Sequence, residues 1–277
     1  MRKKYSYCEK YSGEVEQYLK KHKIKYKIVG DGVLVSTLIN FIVYDGASSD
    51  PALQQLIHSN PVVTNEYTQK ELYAANYLTM RPRKNVVNIT NLNEAFLYKC
   101  PRKTMFGNER FEHKVQIGQF QIKKINTKGT TAFFSSTTGF SEIFAKEEVC
   151  EFMRNNNITG IQMKPVMLEG KGHEIVSGLY QLCSEKVVPT EKIFIDETQK
   201  VGRCPICGSL KVLCKQDYQL QLIGSALDLS DDFYMTEAIF GEGISYPLYI
   251  ISQRLYQLLV SAKMSQNVIF EPVTFTV

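Results

Sequence analysis

Tryptophan is absent from the 277 residues, histidine occurs only four times, and no Walker A, GxGxxG, HExxH or GxSxG pattern appears. Each absence removes a class. Without a phosphate-cradling loop there is no signature of a nucleotide enzyme, and without HExxH or a nucleophile elbow there is none of a zincin or an α/β-hydrolase. His22, His58, His113 and His173 stand apart from one another, so none announces an acid–base pair. The longest apolar stretch, Val33 to Val43, is too short to span a bilayer and is broken by Ser36, Thr37 and Asn40. Arg2-Lys3-Lys4 resembles the basic start of a signal peptide, but polar residues follow where an apolar segment would begin. The expectation is a cytoplasmic, non-catalytic protein with no membrane segment and no small-molecule substrate.

The charge is local. Residues 1–27 hold nine Lys/Arg against Glu9, Glu14 and Glu16, a net +6, so the rest of the chain sums to −1. A basic start interleaved with Tyr5, Tyr7, Tyr11, Tyr18 and Tyr26 suits a nucleic acid. The reading favoured by the pattern is the solvated face of a first helix carrying Val15, Tyr18 and Leu19 inward.

Hydrophobic residues make up 44% of the chain, enough for one large or two modest domains. The pattern reads as α+β, with mixed or antiparallel sheets and packed helices. Asp50-Pro51 and the capping box Thr68-Gln69-Lys70-Glu71 start helices. The second of these carries the stripe Leu72, Ala75 and Leu78 and stops at Pro82. Alternation at Val115, Ile117, Phe120 and Ile122, then Ala132-Phe133-Phe134, reads as strands.

A repeat organises the second half. Ile143-Phe144, a helix bearing Val149, Phe152 and Met153, and Ile158 through Pro165-Val166 form one strand–helix–strand unit. Tyr249 to Ser252, a helix bearing Leu255, Tyr256, Leu258 and Leu259, and Met264 through Pro272-Val273 form another. Upstream, Val115-Gln116-Ile117 aligns with Leu220-Gln221-Leu222, and Ala132-Phe133-Phe134 with Phe233-Tyr234-Met235. The expected divisions are 1–105, an N-terminal α/β layer; 106–168, the first copy; and 169–277, a zinc-knuckle connection and the second copy. The Gly-rich run Leu168 to His173 joins the copies.

The sharpest motif is Cys204-Pro205-Ile206-Cys207-Gly208. Two thiolates at this spacing, with proline tightening the turn and glycine bending it back, suit half of a tetrahedral zinc site. Ser209 to Leu213 reads as a strand, so a thioredoxin-type redox site, which opens a helix, is disfavoured. Cys183, at the end of the apolar run Leu179 to Leu182, is the expected third ligand; Cys100 and His173 are further candidates. Cys214 follows Cys207 by seven residues, roughly 23 Å along an extended strand, beyond reach of the same ion. Cys8, Cys150 and Cys214 read as plain thiols. Asp228 to Asp232 reads as a solvated acidic loop.

Glu142-Ile143-Phe144, the following helix, Ile158-Thr159-Gly160-Ile161, Pro165-Val166 and Cys204-Pro205-Ile206-Cys207-Gly208 together resemble bacterial immunity-like proteins of the double-CxxCG group, linked to polymorphic toxin systems. The likeness spans roughly residues 110–275, and this chain carries one CxxCG where that group has two. The resemblance implies a protein that binds and neutralises a cognate toxin and is not an enzyme, with zinc as a structural staple. The alternative expectation is a nucleic-acid-binding module using the basic N-terminus and the knuckle.

Overall fold

Local signals place the first helices. The Ser12 hydroxyl accepts the Val15 N–H (3.1 Å) and starts the helix Gly13–Lys21; the Asp50 carboxylate accepts the Ala52 N–H (2.9 Å) and, with Pro51, starts the helix Pro51–Leu56. At Thr68 the capping box forms in both directions, Glu71 N–H to Thr68 Oγ1 (3.3 Å) and Thr68 N–H to Glu71 Oε2 (2.8 Å). In this computed structural model the described residues are all but 30–36, 99–103, 107–108, 112–113, 128, 138–141, 171–173, 198, 215–217, 226–228, 242–244 and 277.

The chain is α+β, 21% helix and 43% strand, in several mixed or antiparallel sheets. It divides into two compact units. One is Met1–Glu71 with Lys215–Tyr218; the other is Leu72–Cys214 with Gln219–Val277. The division thus falls at Glu71/Leu72, whereas the sequence pattern suggested residue 105.

In the first unit, the strand Arg2–Lys10 precedes the first helix, although the opening segment read as helical. Tyr5, Tyr7 and Glu9 alternate with Lys4, Ser6, Cys8 and Lys10, the period-two pattern of a strand. Strands Tyr26–Val29, Leu38–Tyr44 and Val62–Glu66 complete an antiparallel sheet in the order Tyr26–Val29, Leu38–Tyr44, Arg2–Lys10, Val62–Glu66. With helices after the first and third strands, this is a split βαβ arrangement. Tyr7, Ile39, Phe41 and Val43 pack with Val15, Leu19 and Leu53 of the helices in one core. Each such burial contributes about 1.5–3 kcal/mol. Buried Glu9 accepts the N–H groups of His58 (3.2 Å) and Ser59 (2.7 Å) and the Ser59 hydroxyl.

The second unit holds two larger sheets. One has the order Gln121–Ile122, Ile161–Leu168, Ile175–Ser184, Ile143–Lys146, Phe133–Ser136, Asn85–Val87. The other has the order Val187–Val188, Phe233–Thr236, Tyr249–Ser252, Tyr77–Pro82, Val268–Pro272. Leu78, expected on a helical stripe, instead lies within the strand Tyr77–Pro82; the helix ends at Ala74.

The pairings correspond closely. Leu182 lies between Ile143 and Met163; Met80 lies between Tyr249 and Phe270. Pro165 faces Tyr180 and Pro272 faces Leu78. The helices Glu147–Asn155 and Gln253–Ser261 follow the strands Ile143–Lys146 and Tyr249–Ser252 directly. Val149, Met153, Leu255 and Leu259 share one core with Ile143, Leu182, Phe233 and Tyr249. Phe134, Phe144 and Leu179 point to the other side of the first of these sheets, into a cluster with Phe120 and Ile122. That sheet is therefore buried on both faces, which explains its apolar runs.

Candidate functional site

The knuckle is the tip of a hairpin. Strands Lys200–Arg203 and Leu210–Leu213 pair antiparallel, with Val201 opposite Val212, and Ile239–Phe240 joins the second strand in parallel. Between them Gly208 N–H donates to the Cys204 carbonyl (2.9 Å) and Cys204 N–H to the Ser209 carbonyl (3.0 Å). Gly208 adopts φ +73°, the left-handed conformation that its lack of a Cβ permits. Cys204 is buried and Cys207 exposed, with Cys207 Sγ 3.1 Å from Ser209 Oγ. The turn thus carries both cysteines of the motif on one tight loop.

Cys183 sits elsewhere, in the strand Ile175–Ser184 opposite Gln162, and burial pushes its thiol up to about 11. Among the described residues no three His, Cys, Asp or Glu side chains gather closely enough to hold a metal ion. Cys100, His113 and His173 lie outside the described residues. Cys150 is wholly buried in its helix, with burial pushing its thiol to about 11, and behaves as a small hydrophobe.

Asp232 departs from the expected solvated acidic loop. It is 6% exposed. Its carboxylate accepts the Ser252 hydroxyl (2.6 Å), the Thr159 N–H (3.2 Å) and the Arg254 guanidinium (2.6 Å). Arg254 also donates to the carbonyl of Asn156. The sequence showed only an acidic cluster; which carboxylate is buried depends on partners 20, 22 and 73 residues away along the chain. These bonds tie the start of the helix Gln253–Ser261 to the Thr159 backbone.

The helices of the first unit pack on one side of its sheet. The other side carries Lys4, Ser6, Cys8 and Lys10 of the first strand beside Leu38, Asn40, Ile42 and Tyr44, as their pairing requires. Ile42 and Val62 are 41% and 47% exposed there. A trough of about 510 Å³ crosses all four strands, with Lys25 and Lys27 at one end and Val62 at the other. Arg2 donates twice to Glu66 Oε2 (2.8 and 3.0 Å), and its guanidinium lies 4.0 Å over the Tyr44 ring.

The tyrosines of the basic start are structural. Tyr7 and Tyr18 are buried, and Tyr11 and Tyr26 both donate to Glu16 (2.6 and 2.7 Å). Lys20, in the same basic segment, is paired with Glu16 at 2.8 Å. Lys20 first, then the two phenols, hold the Glu16 carboxyl down at about 2. No helix among the described residues is long and apolar enough to cross a membrane. No protein-family model matches the chain, and no curated protein matches it.

Proposed function

We propose that the chain is a non-catalytic binding protein of the immunity type, which holds a cognate toxin in the bacterial cytoplasm. The observation that carries this reading is the face of the first unit's sheet that none of its described helices covers. One side of that sheet is covered by helices, while the other leaves Ile42 and Val62 exposed in a trough. An uncovered apolar patch rimmed by polar side chains suits a protein partner. The test is co-expression with the product of the adjacent gene. A stoichiometric complex and protection of the host cell are expected; no complex and no protection would remove the reading.

Zinc belongs to the same proposal as a staple. Cys204 and Cys207 fit two of its four positions, and deprotonated thiolates there would fix the hairpin tip. Purified protein is expected to carry zinc that Cys204→Ser or Cys207→Ser removes. Cys183→Ser asks whether the strand cysteine joins the site.

The second unit is read as two copies of one unit that exchange a strand. Tyr77–Pro82 precedes the first copy yet lies in the sheet of the second, while Ile175–Ser184 follows the first copy and lies in its sheet. Matching bonds support the reading. Met167 N–H donates to Phe120 O (2.9 Å) as Thr274 N–H does to Leu220 O (3.1 Å); Arg83 N–H donates to Asn267 O (2.7 Å) as Glu185 N–H does to Gly160 O (2.9 Å). By these bonds Leu220-Gln221-Leu222 corresponds to Phe120-Gln121-Ile122. The segment first aligned with it, Val115-Gln116-Ile117, pairs in part with Phe96–Tyr98 in a separate ribbon.

A further inference from the structure

We propose that the bare sheet face of the first unit docks an acidic protein surface, with apolar side chains of the partner in the trough and its carboxylates on the surrounding cations. This rests on the protein-binding reading above and names the chemistry of the partner.

The first support is charge. Strand alternation sends Arg2, Lys4, Lys10, Lys25 and Lys27 to this face and only one carboxylate, Glu66, which Arg2 already engages. Lys10, Lys25 and Lys27 are exposed. A face with four cations in excess attracts an anionic partner and repels a basic one, which raises the rate of productive encounter and suppresses wrong partners.

The second support is the arrangement. Ile42 lies on an inner strand and Val62 on the edge strand Val62–Glu66, with Ser6 between them; Lys25 and Lys27 stand at the far side and Lys4 and Lys10 along the strand between, so the face sets apolar side chains among cations. That is the anatomy of a protein interface. A single-stranded nucleic acid needs aromatic rings to stack its bases. Tyr44 is the one ring that alternation sends to this face, and the Arg2 guanidinium already covers it. Of the trough's lining, Ile42 and Val62 are aliphatic with Ser6, Cys8 and Asn40 between, while Tyr7, Tyr26 and Phe41 alternate to the helix side and pack in the core. Acidic protein therefore fits better than nucleic acid.

The test uses the full chain and two charge-reversed forms. One carries Lys10→Glu, Lys25→Glu and Lys27→Glu on the face. The other carries Lys20→Glu, Lys21→Glu and Lys23→Glu at the end of the helix Gly13–Lys21, which packs on the opposite side, so the net charge change is the same. The probes are a short peptide alternating glutamate and leucine, a lysine–leucine counterpart, and oligothymidylate. The acidic peptide is expected to bind wild type and the helix-end form alike and the face form at least about tenfold more weakly. It should also shield Cys8, exposed on the face, from alkylation. Neither the lysine–leucine peptide nor oligothymidylate should do so.

Three results overturn the proposal: no binding of the acidic peptide, equal weakening in both reversed forms, or tighter binding of oligothymidylate with protection of Cys8. If the toxin co-purifies equally well with the face form, the protein-binding reading stands and this assignment of its surface falls.

Discussion

The helices Glu147–Asn155 and Gln253–Ser261 each follow a four-residue buried strand and each lead through two left-handed residues into the next strand. Asn157 and Gly160 serve after the first helix, Lys263 and Asn267 after the second. Their anchorage differs. Ser252 caps the second helix through its hydroxyl, which accepts the Leu255 N–H (3.1 Å). Lys146, at the start of the first helix, makes no such cap and instead sends its ammonium to the Gly129 carbonyl (2.6 Å). Asp232 receives the Ser252 N–H at its carbonyl (2.9 Å); the residue receiving the Lys146 N–H (3.2 Å) is Ala132, which has no polar side chain to contribute. The backbone course is thus common to both regions while the side-chain cap is confined to one. Strand pairing and the shared core set the course, and the side-chain network adds to it.

That comparison can be broken most severely at Asp232. Asp232→Ala leaves Arg254 and the Thr159 N–H without their acceptor, and a loss of about 3 kcal/mol is expected in denaturant unfolding. Ala132→Ser, at the corresponding place, should cost far less.

The left-handed positions come next. A Cβ on Gly160 would run into the Phe233 carbonyl and crowd Asp231 and Lys186, at φ +76°. Gly160→Ala is expected to cost about 2–3 kcal/mol. Asn267, at φ +61°, already carries a side chain, and Asn267→Ala should cost about 1 kcal/mol or less. Equal losses at the two positions would contradict the reading.

Third is Glu271, paired with Thr79 and two residues along from Arg81's partner position. Burial raises its carboxyl to about 6, against the lowering influence of Arg81. A raised carboxyl favours the fold when protonated, so this contribution is full below the ordinary 4.5 and is lost as pH rises through 6. Glu271→Gln should therefore stabilise the protein by about 2 kcal/mol at pH 8 and change little at pH 4.

The smallest effect is the cap. Ser252→Ala is expected to cost about 1–2 kcal/mol, including its bond to Asp232. Lys146→Ala should spare the helix terminus itself.

Local chemistry was legible in the sequence; long-range pairing was not. Asp50-Pro51, Thr68-Glu71 and the two amphipathic helices carry their signals within a turn or two, and each stands where those signals put it. Leu78 falls three residues after Ala75 and so extended a helical stripe on paper. In the fold its neighbours are Ile251 and Pro272, nearly two hundred residues away. Which sheet receives a strand leaves no local trace, because a buried strand looks the same in either. The knuckle's turn was legible because proline and glycine dictate it. The sheet face was not, since its cations come from two strands whose register only the fold fixes.

Hydrogen exchange followed by mass spectrometry tests the exchanged-strand reading most directly. If Tyr77–Pro82 and Ile175–Ser184 are central strands of sheets belonging to each other's copies, their amides should exchange together, in the slowest class, with Tyr249–Ser252 and Ile143–Lys146. Exchange of Tyr77–Pro82 as fast as that of the edge strand Val187–Val188 would contradict it.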